Sequence, residues 1–297
     1  MTGVQTSALP ISLSGLATTG ADVALRAAGT LSLDQGIAAG TGGVFLNTTA
    51  GGAVSQTAAA PIVAGRLDLA ADGPVDLTAA ANQVGTLVAI TGEGLAFRNT
   101  GSLALVAHNL GSGAVTVSAE GAGSDLTIVA DTEVPGVANA GAVTLTAADT
   151  LTLLEPVTAG TVASLAGGQV AIEATVAAPR VVVTADDLSI GPSGTLGTAT
   201  LTEAVLRTLT AGRAISLGAA AAGTLSIDAV ELGRIGLGAN DHHLRIGSLG
   251  GADRPGEAAT GTLTLRAGVD LAGRQVTLEA GEAGADVAQL AGAALSA

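Results

Sequence analysis

Between Gly141 and Ile190 the apolar residues of this chain return at a fixed interval, and that interval limits the available folds more than any other feature. Val143, Val162 and Val181 are spaced by 19 residues, Val157 and Val176 by 19, and Leu151 and Val170 by 19, with Leu188 following at 18. Inside each interval run short alternations, Val143-Thr-Leu145, Leu151-Thr-Leu153, Val170-Ala-Ile172, Val181-Val-Val183 and Leu188-Ser-Ile190, built on branched aliphatic side chains. A period of two is the period of a strand. A period of 19 between strands means that one small set of strands recurs, as in a solenoid and not a closed globule.

A helical solenoid is excluded by the length of the apolar runs and by what separates them. The junctions are turn residues: Gly141-Ala142, Ala148-Asp149, Pro156, Ala159-Gly160, Gly167-Gly168, Ala178-Pro179, Asp186-Asp187 and Gly191-Pro192. The rhythm extends upstream with a looser period. Val23, Val44, Leu67 and Leu87 are spaced 21, 23 and 20, and Leu31, Val54, Val75, Leu95 and Val115 are spaced 23, 21, 20 and 20. Coils of 19–23 residues, each rising by one strand spacing of about 4.8 Å, would stack these residues into parallel ladders. Downstream the period blurs and returns, with Ile215 and Ile235 20 apart and Leu225–Leu244 and Ile227–Ile246 each 19 apart. Residues 202–209 suit either a strand or one short helical turn, because Glu203, Ala204, Leu206 and Arg207 favour helix. The segments near 131–139 and 250–257 interrupt the rhythm and read as extruded loops. The resulting expectation is an all-β chain, a parallel β-helix over residues 12–297 as one solenoid, without complete native caps at either end.

Composition agrees with a thin body. Of 297 residues 48% are apolar, yet the aromatic residues are two phenylalanines, Phe45 and Phe97, whereas wide globular cores are normally filled with aromatic rings. The formal charge is −14, the 11 basic residues are all arginine, and there is no cysteine. An acidic chain without basic runs is a poor partner for nucleic acid or anionic membranes, and without lysine or cysteine it has no Walker lysine, Schiff base or thiolate metal site. No stretch is long and apolar enough for a membrane helix, and the aromatic girdles of a transmembrane barrel are missing.

Residues 1–11, Met-Thr-Gly-Val-Gln-Thr-Ser-Ala-Leu-Pro-Ile, resemble the translation of a sequencing-library adapter with Ser7 in place of cysteine. They are read as a non-native leader on a fragment from a metagenomic assembly, and they carry no functional argument. The rest resembles a known family. Gly52-Ala-Val-Ser-Gln, Ile62-Val-Ala-Gly-Arg-Leu-Asp-Leu-Ala-Ala-Asp-Gly-Pro-Val-Asp-Leu77, Asn82-Gln-Val-Gly-Thr-Leu87, Leu95-Ala-Phe-Arg-Asn-Thr-Gly-Ser-Leu103 and Leu206-Arg-Thr-Leu-Thr-Ala-Gly-Arg-Ala-Ile-Ser-Leu217 are similar to internal repeats of filamentous-haemagglutinin-like exoproteins of Gram-negative bacteria. That resemblance implies a right-handed parallel β-helix, export by two-partner secretion or as an autotransporter, and adhesion at the cell surface. The family's Asn-Pro-containing secretion domain and an outer-membrane barrel are not found in the sequence, which suits a shaft segment. The family's shaft has no fixed functional residues to carry over.

Parallel β-helices also house polysaccharide lyases and hydrolases, so outward carboxylates need weighing. Asp186-Asp187 with Arg180 nearby is the nearest candidate, but adjacent residues on a strand diverge and a turn pair is usually solvated. Asp241-His242-His243 suggests a metal site, yet neighbouring imidazoles diverge on a strand and no third ligand has the spacing; a loop with two exposed imidazoles is the expectation, and His108 stands alone. Gly191-Pro-Ser-Gly194 lacks the spacing of a nucleophile elbow. Thr144-Leu-Thr146 and Thr262-Leu-Thr264 invite an ice-binding reading, but one period on from Thr144 stands Ala163 and two periods on Val182. No catalytic, cofactor or metal residues are therefore expected. The sequence reads as a non-enzymatic shaft and adhesion segment of a large secreted bacterial surface protein, with a glycan or protein receptor as its partner class and end-to-end self-association through terminal coils. A carbohydrate-active β-helix enzyme is the alternative, favoured if outward carboxylates and arginines gather on one face.

Overall fold

The computed structural model describes residues 6–7, 15–107, 109–130, 136–237, 242–270 and 274–296. Strands dominate, and Ala229–Gly233 is the single helix among the described residues. The chain divides into two compact units, Met1–Asp149 with Thr158–Gly160, and Thr150–Val157 with Thr161–Ala297. Each is a β-solenoid of parallel strands, as the periodicity predicts.

In the first unit the two interleaved spacings are two stacked columns. Val23, Val44, Leu67 and Leu87 stand in register, and Leu105 and Ile128 continue the file. Leu31, Val54, Val75, Leu95, Val115 and Val143 form the second, and Leu16, Ile37 and Ile62 align on a third side. Apart from half-buried Leu16, these side chains are buried in the bore. Burying each contributes roughly 1.5–3 kcal/mol, which must outweigh the ordering of the turns.

The strands are longer than the apolar runs suggest, because pairing continues through corners. Val75–Thr91, 17 residues, pairs at one end with Leu95–Phe97 and at the other with Arg66–Ala71. Buried amides make this continuity feasible where the backbone turns away from its neighbours. Asn82 Oδ1 accepts from the Ile62 N–H at 3.0 Å, while its Nδ2 donates to the carbonyls of Leu77 at 2.8 Å and Arg98 at 3.1 Å. It also exchanges two 3.0 Å bonds with Gln56. Asn99 accepts from the Val84 N–H at 2.8 Å and returns a bond to the Val84 carbonyl at 3.0 Å. Of the 131–139 segment, 131–135 lies outside the described residues. Val137–Asn139 is a strand whose Val137 is buried and whose Asn139 donates to the carbonyls of Leu110, Gly111 and Gly113.

In the second unit Leu151, Val170 and Leu188 stack as spaced. The file through Val162 does not. Val181 stands opposite Ala163, and Val162 opposite Arg180. That coil is one residue shorter than the period, and a one-residue slip turns every side chain to the other face. Ala163, placed by spacing on an outward threonine file, is therefore buried. Residues 203–207 are strand and not a helical turn, because Ala204 and Leu206 enter the core columns Val181–Ala204–Leu244–Val276 and Val183–Leu206–Ile246–Leu278. Core burial outweighs a weak local propensity.

The downstream spacings of 19 and 20 do not correspond to stacking. Ile215 pairs with Leu225 and Leu263, Leu244 with Ala204 and Val276, and Ile235 bridges Leu196. The strand Leu225–Asp228 runs parallel beside Ile215–Gly218, and the helix Ala229–Gly233 follows it directly. Asp228 caps that helix, accepting from the Glu231 N–H at 2.8 Å, while Glu231 accepts from the Asp228 N–H at 3.0 Å and the Ile190 N–H at 3.1 Å. Burial pushes the Glu231 carboxyl above its ordinary range. Residues 250–257 are turns and bends that return to one outer sheet face.

Candidate functional site

That face is built by four parallel strands of the second unit, Arg180–Ile190, Glu203–Arg207, His243–Ser248 and Gln275–Ala280. Their register makes rows across the coils: Arg180, Glu203, His243 and Gln275 in one, Val182, Val205, Arg245 and Thr277 in the next. These positions alternate with the core columns, so their side chains leave the bore. Gly247, between Arg245 and Ser248, has φ +91°, and a Cβ there would lie 1.9 Å from the Glu279 carbonyl oxygen. Only glycine suits that position.

The 250–257 loop supplies the remaining groups. Arg245, only 5% exposed, donates through Nη2 to Glu257 Oε1 at 2.8 Å and through Nη1 to Glu257 Oε2 at 3.1 Å and Glu279 Oε2 at 3.3 Å. Arg207 Nη1 reaches Glu257 Oε1 at 2.5 Å, Arg254 Nη2 reaches Glu279 Oε1 at 2.6 Å, and Ser248 Oγ donates to Glu257 Oε2 at 2.7 Å. Arg180 pairs with Glu203 at the edge of the cluster. Burial alone would raise Glu257. The bonds from Arg245 and Ser248 and the charges of Arg207 and Arg245 outweigh it and bring the carboxyl down to about 2. Burial lowers Arg207, against the pull of Glu257. Buried charges persist only when paired, and here each buried charge has several partners, although Arg245 Nε has none. Beside the network lies a cavity of about 220 Å³ lined by Arg180, Glu203, His243, Arg245, Arg254 and Glu257. It offers both charged donors and carboxylate acceptors to a polar ligand.

The candidates singled out in the sequence are dispersed. Asp186 serves the next coil, accepting from the N–H groups of Leu209 at 3.1 Å and Thr210 at 2.8 Å, with Arg213 Nε on its carbonyl. Asp187 faces Gln169 in the neighbouring strand, and Arg180 belongs to the cluster and not to the aspartate pair. The expectation of a loop with two exposed imidazoles needs correction: His242 is half-buried, and His243 opens a strand, is half-buried, and its Nε2 lies 2.7 Å from Thr277 Oγ1, because the register of Leu244 and Ile246 draws it into the sheet. Asp241 and His108 lie outside the described residues, and no group of three or more metal-ligating side chains occurs among those described. Gly191 and Gly194 close a tight turn, with a 2.9 Å bond from the Gly194 N–H to the Gly191 carbonyl. Thr264 stands between Ser216 and Ala288, so no threonine file forms there.

Sequence reasoning singled out Arg180 and His243, in two separate candidates, and marked the 250–257 loop, but did not bring them together. The others were marked by a signal that needs the register first: charged residues at outward positions of successive coils, plus a loop carrying Arg254 and Glu257. The capping box Asp228-Ala-Val-Glu231 was legible and missed.

One family profile, described as "Repeats of unknown function (DUF5649)", matches residues 20–91. No curated protein and no solved structure matches the chain. The matched segment carries the part of the first unit in which Val23, Val44, Leu67 and Leu87, and Leu31, Val54 and Val75, stack in columns. Repeat sequence and stacked register therefore coincide there.

Proposed function

We propose that the chain is a non-enzymatic shaft segment of a large secreted bacterial surface protein of the filamentous-haemagglutinin-like kind, projecting an adhesive region toward a glycan or protein receptor. The observation that carries this reading is the column Leu31–Val54–Val75–Leu95–Val115–Val143, which holds one register through six successive strands. Each added coil buries its apolar face on the last, so a body of this kind extends without a new core. A repeat profile on residues 20–91 is compatible with that role.

The alternative is a polysaccharide lyase or hydrolase, and the arginine-glutamate cluster is what favours it. The shaft reading is preferred to a hydrolase because a general acid must hold its proton near working pH, whereas Glu257 is drawn down to about 2 and Glu279 is bonded to Arg245 and Arg254; a lyase, which needs a base instead, is decided by turnover. The test is incubation with a panel of neutral and acidic polysaccharides, following reducing ends and the ultraviolet absorbance of unsaturated products, alongside retention of labelled protein on receptor-bearing cells. The shaft reading expects retention without turnover. Turnover that disappears in Glu257→Gln would replace it with the enzyme reading.

A further inference from the structure

The cluster's carboxylates leave guanidinium edges unbonded, although Asp253 adds a further negative charge near Arg254. Four of the chain's 11 arginines, Arg180, Arg207, Arg245 and Arg254, gather here in a chain of net charge −14. Three glutamates answer them: Glu203, Glu257 and Glu279. Arg245 is buried and Arg207 half-buried against Glu257. Arg180 is engaged through Nε with Glu203, and Arg254 through Nε and Nη2 with Glu279. Both remain partly open, with side chains 44% and 39% exposed, and both line the 220 Å³ cavity. Glu203 bonds Arg180 through Oε2, which leaves Oε1 as an acceptor, and His243 uses Nε2 on Thr277, which leaves Nδ1.

We propose that this cavity binds a small hydroxylated carboxylate, of the chemical class of a terminal or free uronic acid, with its carboxylate spanning Arg180 and Arg254 and a hydroxyl on Glu203. Guanidinium groups with free edges are the natural partners of a carboxylate. The two glutamates in the wall repel a bare oxyanion and reward a ligand that brings hydroxyl donors beside its charge. A volume of this size admits one sugar-sized group and not an extended chain. The site adds a ligand to the shaft reading without depending on it: turnover decides between shaft and enzyme, and binding decides this proposal.

The test is a titration of the full chain with D-glucuronate, followed by amide chemical shifts at residues 180, 203, 243 and 254, with D-glucose and inorganic sulfate as comparison probes. Saturable shifts with a Kd on the order of 1 mM are expected for glucuronate, weakened about tenfold or more in Arg180→Gln, which removes one charged hydrogen bond. Glu203→Gln is expected to narrow the preference for glucuronate over sulfate, and the same spectra report whether either variant is folded. No saturable shift with glucuronate, equal binding of sulfate or glucose, or an unchanged preference in folded Glu203→Gln would each overturn the proposal.

Discussion

Replacing Glu257 by glutamine asks whether charge or shape holds the 250–257 loop on the sheet. The variant keeps the side chain's size and removes the charge that faces Arg207 and Arg245. The folded carboxyl titrates at about 2 against an ordinary 4.5. Because the folded value is depressed, its stabilisation is complete above about pH 4.5 and is lost as pH falls through about 2. At 1.36 kcal/mol per pKa unit this amounts to about 3 kcal/mol at pH 7 and well under about 1 kcal/mol at pH 2. The chain has no Trp or Tyr, so urea unfolding is followed by far-ultraviolet circular dichroism. Hydrogen exchange at the Ser248 N–H, bonded to Thr260 Oγ1, and the Gly250 N–H, bonded to Ser248 Oγ, reports local opening. The wild-type advantage over Glu257→Gln should shrink from pH 7 to pH 2. An equal loss at both pH values would refute the electrostatic account and leave loop packing as the cause.

Asn82→Leu orphans the Ile62 N–H and the carbonyls of Leu77 and Arg98, and should destabilise the first unit by more than about 3 kcal/mol in urea unfolding. Gly113→Ala places a Cβ 1.7 Å from the Glu93 carbonyl oxygen of the preceding coil, and the forced displacement should cost about 1–3 kcal/mol, read as a lower thermal midpoint. Asp228→Ala removes the cap of the Ala229–Gly233 helix and should cost about 1 kcal/mol, with faster exchange at the Glu231 N–H as its local mark.

The core was legible in the sequence because stacking writes one requirement into every coil. Val23, Val44, Leu67 and Leu87 can be found by counting, and they are neighbours in space. Counting fails where a coil changes length by one residue, as at Val162, or where the chain inserts a parallel strand, as at Leu225. The buried amides of Asn82 and Asn99 escaped the reading because asparagine is common in exposed turns, and here the same chemistry is turned inward at corners.

The ionic cluster was illegible for a different reason. The outward row Arg180, Glu203, His243 and Gln275 changes residue type at every coil, so its charges carry no period, and Glu257 lies outside the strands altogether. The inward columns link coils by apolar burial, which every coil must supply. The outer face links Glu203–Arg207, His243–Ser248 and Gln275–Ala280 by charge, through the direct Arg245–Glu279 pair and through Arg254 and Glu257 of one loop. Loss of that loop's carboxylate should therefore loosen the 250–257 segment while the Val183–Leu206–Ile246–Leu278 column keeps its exchange protection. A solenoid can gain or lose a site of this kind on its surface without changing the register that makes it fold.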